Sequence, residues 1–289
     1  MQKIIPHLWF DKEAVEAAEY YASVFDNSKI KSISRIHDTP SGDCDIVSFQ
    51  VMGYDFMAIS AGPLFKFNPS ISFRATCRTI EEVDTIWKKL AAGGTVMMEL
   101  GEYPFSKRYG WIQDKFGVSW QVIYTEQEFK QRITPVLMFV DKVFHKAEEA
   151  INYYAAIFPG ARAQVVARYT KEDTPDKEGS VKYAQFILEG QEFGAMDSAR
   201  MHHFEFNEAI SFIVNCRNQN EIDYYWKKIS AVPAAEQCGW VKDKYGISWQ
   251  IIPVTMGELM GRNPQKTTPA MLKMKKIIIA DLIKAAEEK

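Results

Sequence analysis

The side chains that could take part in chemistry are few, and the first of them stands on a predicted strand. His7 lies two residues before Trp9, so both side chains project onto one face of that strand together with Ile5. An imidazole there is a candidate general base or ligand, and the alternative is a histidine held by an ordinary hydrogen bond. His202 and His203 stand together in a predicted loop, where we expect solvated side chains.

The composition limits compartment and partners. The four cysteines show no CxxC spacing, which is typical of free thiols in a reducing compartment. The chain starts without the apolar core of a signal peptide, and no apolar run approaches the ~20 residues of a membrane span. With 35 basic and 37 acidic residues, the formal charge of -2 gives no attraction for nucleic acid or anionic membrane. We expect a cytoplasmic protein that binds neither nucleic acid nor membrane.

A fourteen-residue motif shows that the chain is duplicated. GWIQDKFGVSWQVI at residues 110–123 returns as GWVKDKYGISWQII at residues 239–252, with nine identical positions. Each copy predicts a β-hairpin, with an extended arm, a turn that ends in glycine, and an alternating second arm. In that second arm Trp120 and Trp249 face away from Gln121 and Gln250, so we expect the two tryptophans in the core.

The order strand, helix, three strands occurs four times. It starts near residues 4, 71, 135 and 210, and a turn at Pro40-Ser41-Gly42 separates two strands of the first copy. The pattern predicts an α+β fold of four βαβββ modules in two domains, residues 1–127 and 128–260. Residues 261–289 have no counterpart in the first half. Within them Pro269 to Glu288 is predicted to form one amphipathic helix that docks on a sheet or a partner subunit.

Four such modules, with Gly-Trp-x-x-Asp-Lys-aromatic-Gly-x-Ser-Trp-Gln closing each half, resemble the vicinal-oxygen-chelate superfamily. That superfamily includes glyoxalase I, extradiol dioxygenases and bleomycin-resistance proteins. Within it the sequence is similar to the PhnB-like branch, often labelled 3-demethylubiquinone-9 3-methyltransferase. The resemblance implies two glyoxalase-like domains with curved mixed sheets around clefts. Metal-using members carry ligands on the first and last strands of each module.

The resemblance also assigns site positions. In the first domain the ligand positions fall on Ser60, Ser72 and Gln121, a set too weak to hold a metal, so we expect no metal there. In the second domain the corresponding positions fall on Asp197, Ser211 and Gln250. Trp9 and Met138 are expected to line the clefts beside these positions.

Asp197 is the one strong ligand of this set. A divalent metal site in the second domain, formed by Asp197, Gln250 and either His202 or His203 on a nearby loop, therefore stays an alternative. On the first strands of the two domains the aligned position falls near Ile5 and Thr134, neither of which is a strong ligand.

The resemblance therefore implies a protein that binds a small, partly apolar molecule in one or both clefts, without a complete metal site and without another cofactor. The alternative is a metalloenzyme of the glyoxalase type, a lyase or isomerase, or of the dioxygenase type, with its active cleft in the second domain. A methyltransferase is not expected, because Gly93-Gly94 ends a predicted helix and no glycine-rich turn begins one. A monomer that acts as a fused pseudo-dimer and a homodimer both remain open.

Overall fold

A computed structural model of the chain describes residues 2–39 and 42–288. The predicted turn at Pro40-Ser41 lies outside the described residues. Within them no helix is long and apolar enough to cross a membrane.

The chain forms four successive units. Unit 1 contains β1 (Ile4–Phe10), α1 (Ala14–Val24), β2 (Lys29–Thr39), β3 (Gly42–Val51) and β4 (Tyr54–Ser60). Unit 2 contains β5 (Ile71–Cys77), α2 (Ile80–Leu90), β6 (Thr95–Tyr103), β7 (Ser106–Gln113) and β8 (Ser119–Tyr124). Unit 3 contains β9 (Ile133–Phe139), a 3-10 turn (Asp141–Val143), α3 (Ala147–Ile157), β10 (Arg162–Arg168), β11 (Val181–Leu188) and β12 (Gln191–Asp197). Unit 4 contains β13 (Ile210–Cys216), α4 (Gln219–Ile229), a 3-10 turn (Pro233–Ala235), β14 (Trp240–Lys242) and β15 (Ser248–Pro253).

Unit 4 is shorter than the others. Across residues 210–253, all of which the structure describes, no strand corresponds to β6 of unit 2. Its outer hairpin is reduced to the three-residue β14 and the 3-10 turn. The outermost strand of the sheet in unit 4 is therefore much shorter than that in unit 2.

The four units share two curved mixed sheets, and each sheet takes one unit from each half of the chain. The seven-stranded sheet has the order β14-β15-β13-β1-β4-β3-β2, so it joins units 1 and 4. The eight-stranded sheet has the order β10-β11-β12-β9-β5-β8-β7-β6 and joins units 2 and 3. The joints are antiparallel pairs, β1 with β13 and β5 with β9. The two halves of the duplicated chain are thus interleaved.

Each sheet has one face covered by helices and one face without them. Along β1 the side chains of Ile4, Leu8 and Phe10 are buried in the helix-side core, and His7 and Trp9 point to the opposite face. We call the helix-free face of the seven-stranded sheet cleft A and that of the eight-stranded sheet cleft B. The prediction that Trp120 and Trp249 belong to the core is confirmed, because both side chains are fully buried on the helix side.

The aspartate of the first hairpin motif is buried and fully hydrogen bonded. One oxygen of Asp114 accepts from the backbone amides of Phe116 and Val118, at 2.9 and 3.0 Å, and so holds the hairpin turn. Its other oxygen accepts from the Trp120 indole and from the Tyr21 hydroxyl, both at 2.9 Å. Since Tyr21 lies on α1, this carboxylate joins unit 1 to unit 2.

The second motif repeats the arrangement. Asp243 accepts from the backbone amides of Tyr245 and Ile247, from the Trp249 indole at 2.9 Å and from the Tyr154 hydroxyl at 2.7 Å. Tyr154 lies on α3, so this carboxylate joins unit 3 to unit 4. Burial raises the pKa of both aspartates, although the hydrogen bonds act in the opposite direction.

The prediction of a single helix from Pro269 to Glu288 is wrong. The extension contains three helices, α5 (Met256–Arg262), α6 (Pro264–Leu272) and α7 (Ile279–Glu287). The predicted boundary at residue 260 falls within α5, and both domain boundaries stay predictions.

Tertiary hydrogen bonds replace helical ones between α6 and α7. The backbone amides of Cys238 and Gly239 donate to the carbonyls of Met274 and Lys275, at 2.8 and 2.7 Å. This segment therefore lies beside the β14 edge of the seven-stranded sheet, and α6 packs beside β2, the opposite edge strand. The extension contacts both edges of one sheet.

Replacing Asp114 by asparagine should destabilise the protein strongly. Asparagine keeps the shape, but its amide group must face either the two backbone donors or the Tyr21 and Trp120 donors. We expect a loss of about 3 kcal/mol in the free energy of unfolding, measured by urea denaturation. Asp84→Asn is the matched control, because Asp84 makes a half-exposed ion pair with Arg108 and should lose less than about 1 kcal/mol. Equal losses at the two positions would contradict the role of Asp114.

Candidate functional site

Interleaving of the halves brings polar residues from both ends of the chain together in cleft A. His7 on β1 lies opposite Ser211 on β13, and Ser211 lies opposite Ser248 on β15. Neighbouring strands are about 4.8 Å apart, so the three side chains form a short row across the sheet. All three residues are buried, with at most 5% of their surface exposed.

Two atoms of this row have no hydrogen-bond partner. Gln250 donates to the Ser211 hydroxyl at 3.0 Å, which joins two of the three residues predicted for the second domain. By contrast, His7 Nδ1 and Ser248 Oγ are buried and unpartnered. Leaving a buried polar atom unpaired costs about 1–3 kcal/mol, so such atoms call for an explanation. Cleft A therefore offers two unused hydrogen-bonding groups.

Aromatic rings stand above this row. The Trp240 ring meets the His7 ring edge-on at 5.8 Å between centroids and the Trp9 ring at 6.0 Å. Phe65 packs on Trp9 at 5.1 Å, and the Trp9 indole donates to the Gly62 carbonyl at 2.9 Å. Phe65 and Gly62 belong to the loop between β4 and β5. Cleft A thus has a polar floor under an aromatic cover.

His7 is a neutral imidazole at physiological pH. Burial lowers its pKa from 6.5 to about 3, because the cleft withholds the water that would solvate the cation. A neutral imidazole has one donor and one acceptor nitrogen, so His7 can both give and receive a hydrogen bond. A pKa lowered this far makes His7 a weak proton acceptor at neutral pH.

In cleft B the corresponding polar groups satisfy one another. Gln121 donates to the Ser72 hydroxyl at 2.8 Å and accepts from the Tyr109 hydroxyl at 2.9 Å. The Trp111 indole donates to the Ser119 hydroxyl at 2.7 Å. The structure thus brings together Ser72 and Gln121, two of the three residues assigned to the first domain. No buried hydroxyl of this row is left over.

Beside this row, one part of cleft B is apolar. Met138 packs with Tyr109, Trp111 and Val140 into a small cluster, separate from the main core. The partly buried side chains around this cluster are Met97, Met98, Tyr103, Ile123, Met196 and Phe204. The β6–β7 hairpin supplies several of them, and unit 4 has no such hairpin over cleft A.

Ser60 and Asp197 do not face a cleft, which corrects their predicted role. Ser60 accepts from the Ala14 amide at 3.1 Å, at the start of α1. Asp197 accepts from the amides of Ala147, at the start of α3, and Val181, at 3.1 and 2.9 Å. Each residue lies on the helix side of its strand, one position out of phase with the cleft face. Both anchor the first turn of a helix.

The predicted convergence of Asp197 and Gln250 is wrong as well. They lie on different sheets, because β12 belongs to the eight-stranded sheet and β15 to the seven-stranded one. His202 bonds to the Ser198 hydroxyl at 2.8 Å, and His203 is exposed. In the part of the chain that the structure describes, no three His, Cys, Asp or Glu residues cluster as metal ligands would.

Several site residues were missed. Ser248 and Ser119 occupy identical motif positions, so nothing at those positions separates them. The sequence difference between the two clefts lies next to the motif, where Cys238 occupies the position of Tyr109. A second missed residue is Arg74 in cleft B. It is a charged residue in an otherwise weakly polar strand, at the position where the other half has Ile213.

Replacing His7 by glutamine should flatten the pH dependence of stability. Between about pH 3 and 6.5 the folded protein binds fewer protons than the unfolded chain, because the pKa of His7 is lowered on folding. The contribution of His7 to the free energy of unfolding is therefore highest above pH 6.5, where His7 is neutral in both states, and it decreases as the pH falls. Between pH 7 and pH 5 the wild type should lose about 2 kcal/mol that His7→Gln does not lose. Denaturation at both pH values measures this.

The exposed His203→Gln variant is the control and should keep the wild-type slope. Identical slopes for wild type and His7→Gln would show that His7 titrates normally.

Known proteins resemble the chain in sequence and in fold. The family described as 3-demethylubiquinone-9 3-methyltransferase matches twice, over residues 2–123 and 131–252. A comparison with curated proteins found no match. Among solved structures, the PhnB protein of Bacillus cereus is 43% identical over 43% of this chain and 100% of its own, with a TM-score of 0.40.

Glyoxalase I from Zea mays is 12% identical over 89% of this chain and 96% of its own, with a TM-score of 0.52. At that identity the similarity concerns the fold alone. The two family matches cover most of the chain, one in each half. The chain therefore belongs to the PhnB-like family described as 3-demethylubiquinone-9 3-methyltransferase and carries two tandem copies of its domain.

Proposed function

We propose that cleft A binds a small, partly apolar molecule with a polar head group. The observation that carries this proposal is the pair of buried, unpartnered atoms, His7 Nδ1 and Ser248 Oγ, on one row of the sheet. A ligand that offers a donor and an acceptor would satisfy both. Sites of this kind are mostly apolar with a few placed polar groups, which is the composition found here.

The aromatic cover suits the apolar part of such a ligand. Trp9 and Trp240 lie at 6.0 Å in an edge-on arrangement, so a planar molecule could pack against either ring. Entry requires the cover to move. Phe65 stands on a connecting loop whose Leu64 is 67% exposed, so this loop is the part that can open.

A resident metal fits cleft A poorly. A divalent ion in a protein is held by three or four converging donors, usually including a carboxylate or a thiolate. The donors in this row are one imidazole, two hydroxyls and an amide that already bonds to Ser211. With Asp197 on the other sheet, the metalloenzyme alternative loses its strongest ligand. We propose a binding protein without a resident metal.

Methyl transfer also has little support from the chain. An adenosyl methyl donor is usually held at a glycine-rich turn between a parallel strand and a helix. The connections from β1 to α1, β5 to α2, β9 to α3 and β13 to α4 contain no glycine. Gly93 and Gly94 follow the end of α2.

The binding test uses the serine that differs between the clefts. A panel of phenols, cyclic ketones and aromatic amides is screened by thermal shift, because a ligand of the folded state raises the melting temperature. Ser248→Ala should weaken binding of the hits by about threefold to tenfold, the effect of one hydrogen bond, without lowering stability. Ser119→Ala, its counterpart in cleft B, should leave these affinities unchanged but lower stability, because it strands the Trp111 indole.

Hits with unchanged affinity in both Ser248→Ala and His7→Gln would contradict binding in cleft A, as would the absence of any hit. S-adenosylmethionine belongs in the same panel, and micromolar binding would restore the methyltransferase hypothesis.

We further propose that the protein is a monomer in a reducing compartment such as the cytoplasm. The β1–β13 and β5–β9 pairs already join the two halves, which is the contact that a dimer of single-domain chains would need. The four cysteines are free, as in reducing compartments. Light scattering should give the chain mass of 33.1 kDa. Twice that mass would favour the homodimer.

A further inference from the structure

Cleft B contains a positive charge that the protein itself does not neutralise. Arg74 on β5 points to the helix-free face, between Thr134 on β9 and Gln121 on β8. Its guanidinium group donates to the Tyr183 hydroxyl and, at 3.5 Å, to the Thr134 hydroxyl. Both partners are neutral. Arg74 Nε is buried and has no partner.

Within residues 2–39 and 42–288, no carboxylate forms an ion pair with the Arg74 guanidinium at 4.0 Å or less. Glu192 on β12 faces the same cleft and raises the pKa of Tyr183, but it forms no ion pair with Arg74. Burial is the main cause that raises the Tyr183 pKa, so the phenol stays protonated at neutral pH and supplies no negative charge. A half-buried cation without a counter-ion is costly, and such groups are frequent in binding sites.

The surroundings of Arg74 are built to hold it. The Tyr183 ring reaches Arg74 across β12 because residue 194 is glycine. A Cβ added to Gly194 would lie 3.1 Å from the Tyr183 hydroxyl oxygen and 3.0 Å from a methyl group of Val136. The guanidinium carbon lies 5.3 Å from the centre of the Tyr183 ring, within cation–π range. Gly194, Tyr183 and Arg74, which lie on three different strands, therefore act together as one structural arrangement.

The other half of the chain has none of these three residues. Where unit 2 has Arg74, unit 4 has Ile213, and where unit 3 has Gly194 and Tyr183, unit 1 has Met57 and Ile46. All three positions in cleft A are therefore apolar. The polar groups of cleft A lie at His7 and Ser248 instead. The duplicated clefts have diverged towards different ligands.

The apolar part of cleft B lies close to the guanidinium. Tyr109 belongs to the cluster of Trp111, Met138 and Val140. Burial raises the pKa of Tyr109, and the nearby Arg74 charge acts in the opposite direction. Methionine side chains around this cluster can adapt their shape to an apolar guest. Phe105, at the tip of the β6–β7 hairpin, packs on Tyr109 at 5.0 Å and is 61% exposed. One cation therefore stands at the edge of an adaptable apolar surface.

We propose that cleft B binds a small carboxylate with an apolar body. The carboxylate pairs with the Arg74 guanidinium, which matches a carboxylate in geometry as well as in charge. The Tyr183 hydroxyl, now donating to the ligand, completes the head-group site. The apolar body packs on the methionine and aromatic cluster. This second site is independent of the ligand proposed for cleft A.

The test compares charged and neutral probes of the same shape. Phenylpropionate, phenylpropionamide and inorganic phosphate are titrated against the full chain, with tryptophan fluorescence and thermal shift as readouts. Wild type should bind phenylpropionate more tightly than either of the other two. Arg74→Met should weaken phenylpropionate binding by roughly 10- to 100-fold, the effect of losing hydrogen bonds to a charged partner, and should leave phenylpropionamide binding unchanged.

The matched control is Ile213→Met, the same substitution at the corresponding position of cleft A, which should not change phenylpropionate affinity. Ser248→Ala should not change it either, so failure of one site is distinguishable from failure of the other. Arg74→Met should melt no lower than wild type, because it removes an uncompensated charge. If Arg74→Met fails to fold, Tyr183→Phe replaces it and should weaken phenylpropionate binding by about threefold to tenfold, the effect of losing the hydrogen bond from the Tyr183 hydroxyl.

Three results would overturn the proposal. The first is no binding of phenylpropionate by wild type, and the second is equal affinity for the acid and the amide. The third is a lower melting temperature of Arg74→Met with unchanged phenylpropionate affinity, which would make Arg74 a structural residue. Phosphate binding as tight as that of phenylpropionate would remove the apolar body from the proposal.

Discussion

A buried carboxylate in each hairpin motif holds the architecture together. Asp114 and Asp243 each accept four hydrogen bonds, two from their own turn and two from rings of the core. Desolvation makes a buried carboxylate expensive, and the four donors offset that cost. The same bonds fix the rotation of the last strand, because the indole that they hold points to the core. The glutamine next to each indole must then face the cleft.

The aspartates join the units within each half, and strand pairing joins the halves to one another. Pairing of β1 with β13 places His7 beside Ser211, and pairing of β5 with β9 places Arg74 beside Thr134. Each cleft is therefore assembled from both copies of the repeat. A residue in one copy faces a partner from the other copy, so the two clefts could diverge although their motifs are nearly identical. One keeps an imidazole nitrogen without a hydrogen-bond partner, and the other keeps a guanidinium without a counter-ion.

Much of this fold can be predicted from the sequence, because local features of the hairpin motif determine its conformation. Turn glycines, a buried aspartate and the alternation of tryptophan with glutamine are local features, and the core positions of Trp120 and Trp249 follow from them. Which units share a sheet is decided by contacts between distant edges, which local patterns do not encode. The prediction therefore places Asp197 in one cleft with Gln250, although they lie on different sheets. It also assigns the cleft-facing side chains of β4 and β12 one residue out of position. The break between α6 and α7 likewise depends on hydrogen bonds to residues of another unit.

The pairing of β1 with β13 also bears on how the chain acquires its structure during synthesis. The two strands lie about 200 residues apart, and a contact over such a distance forms late, because a long loop must close first. While the ribosome makes the intervening units, one side of β1 has no neighbour and offers its backbone groups to any other strand. Completion of the seven-stranded sheet is thus tied to emergence of the fourth unit. The protein is therefore more exposed to aggregation as a nascent chain than after folding is complete.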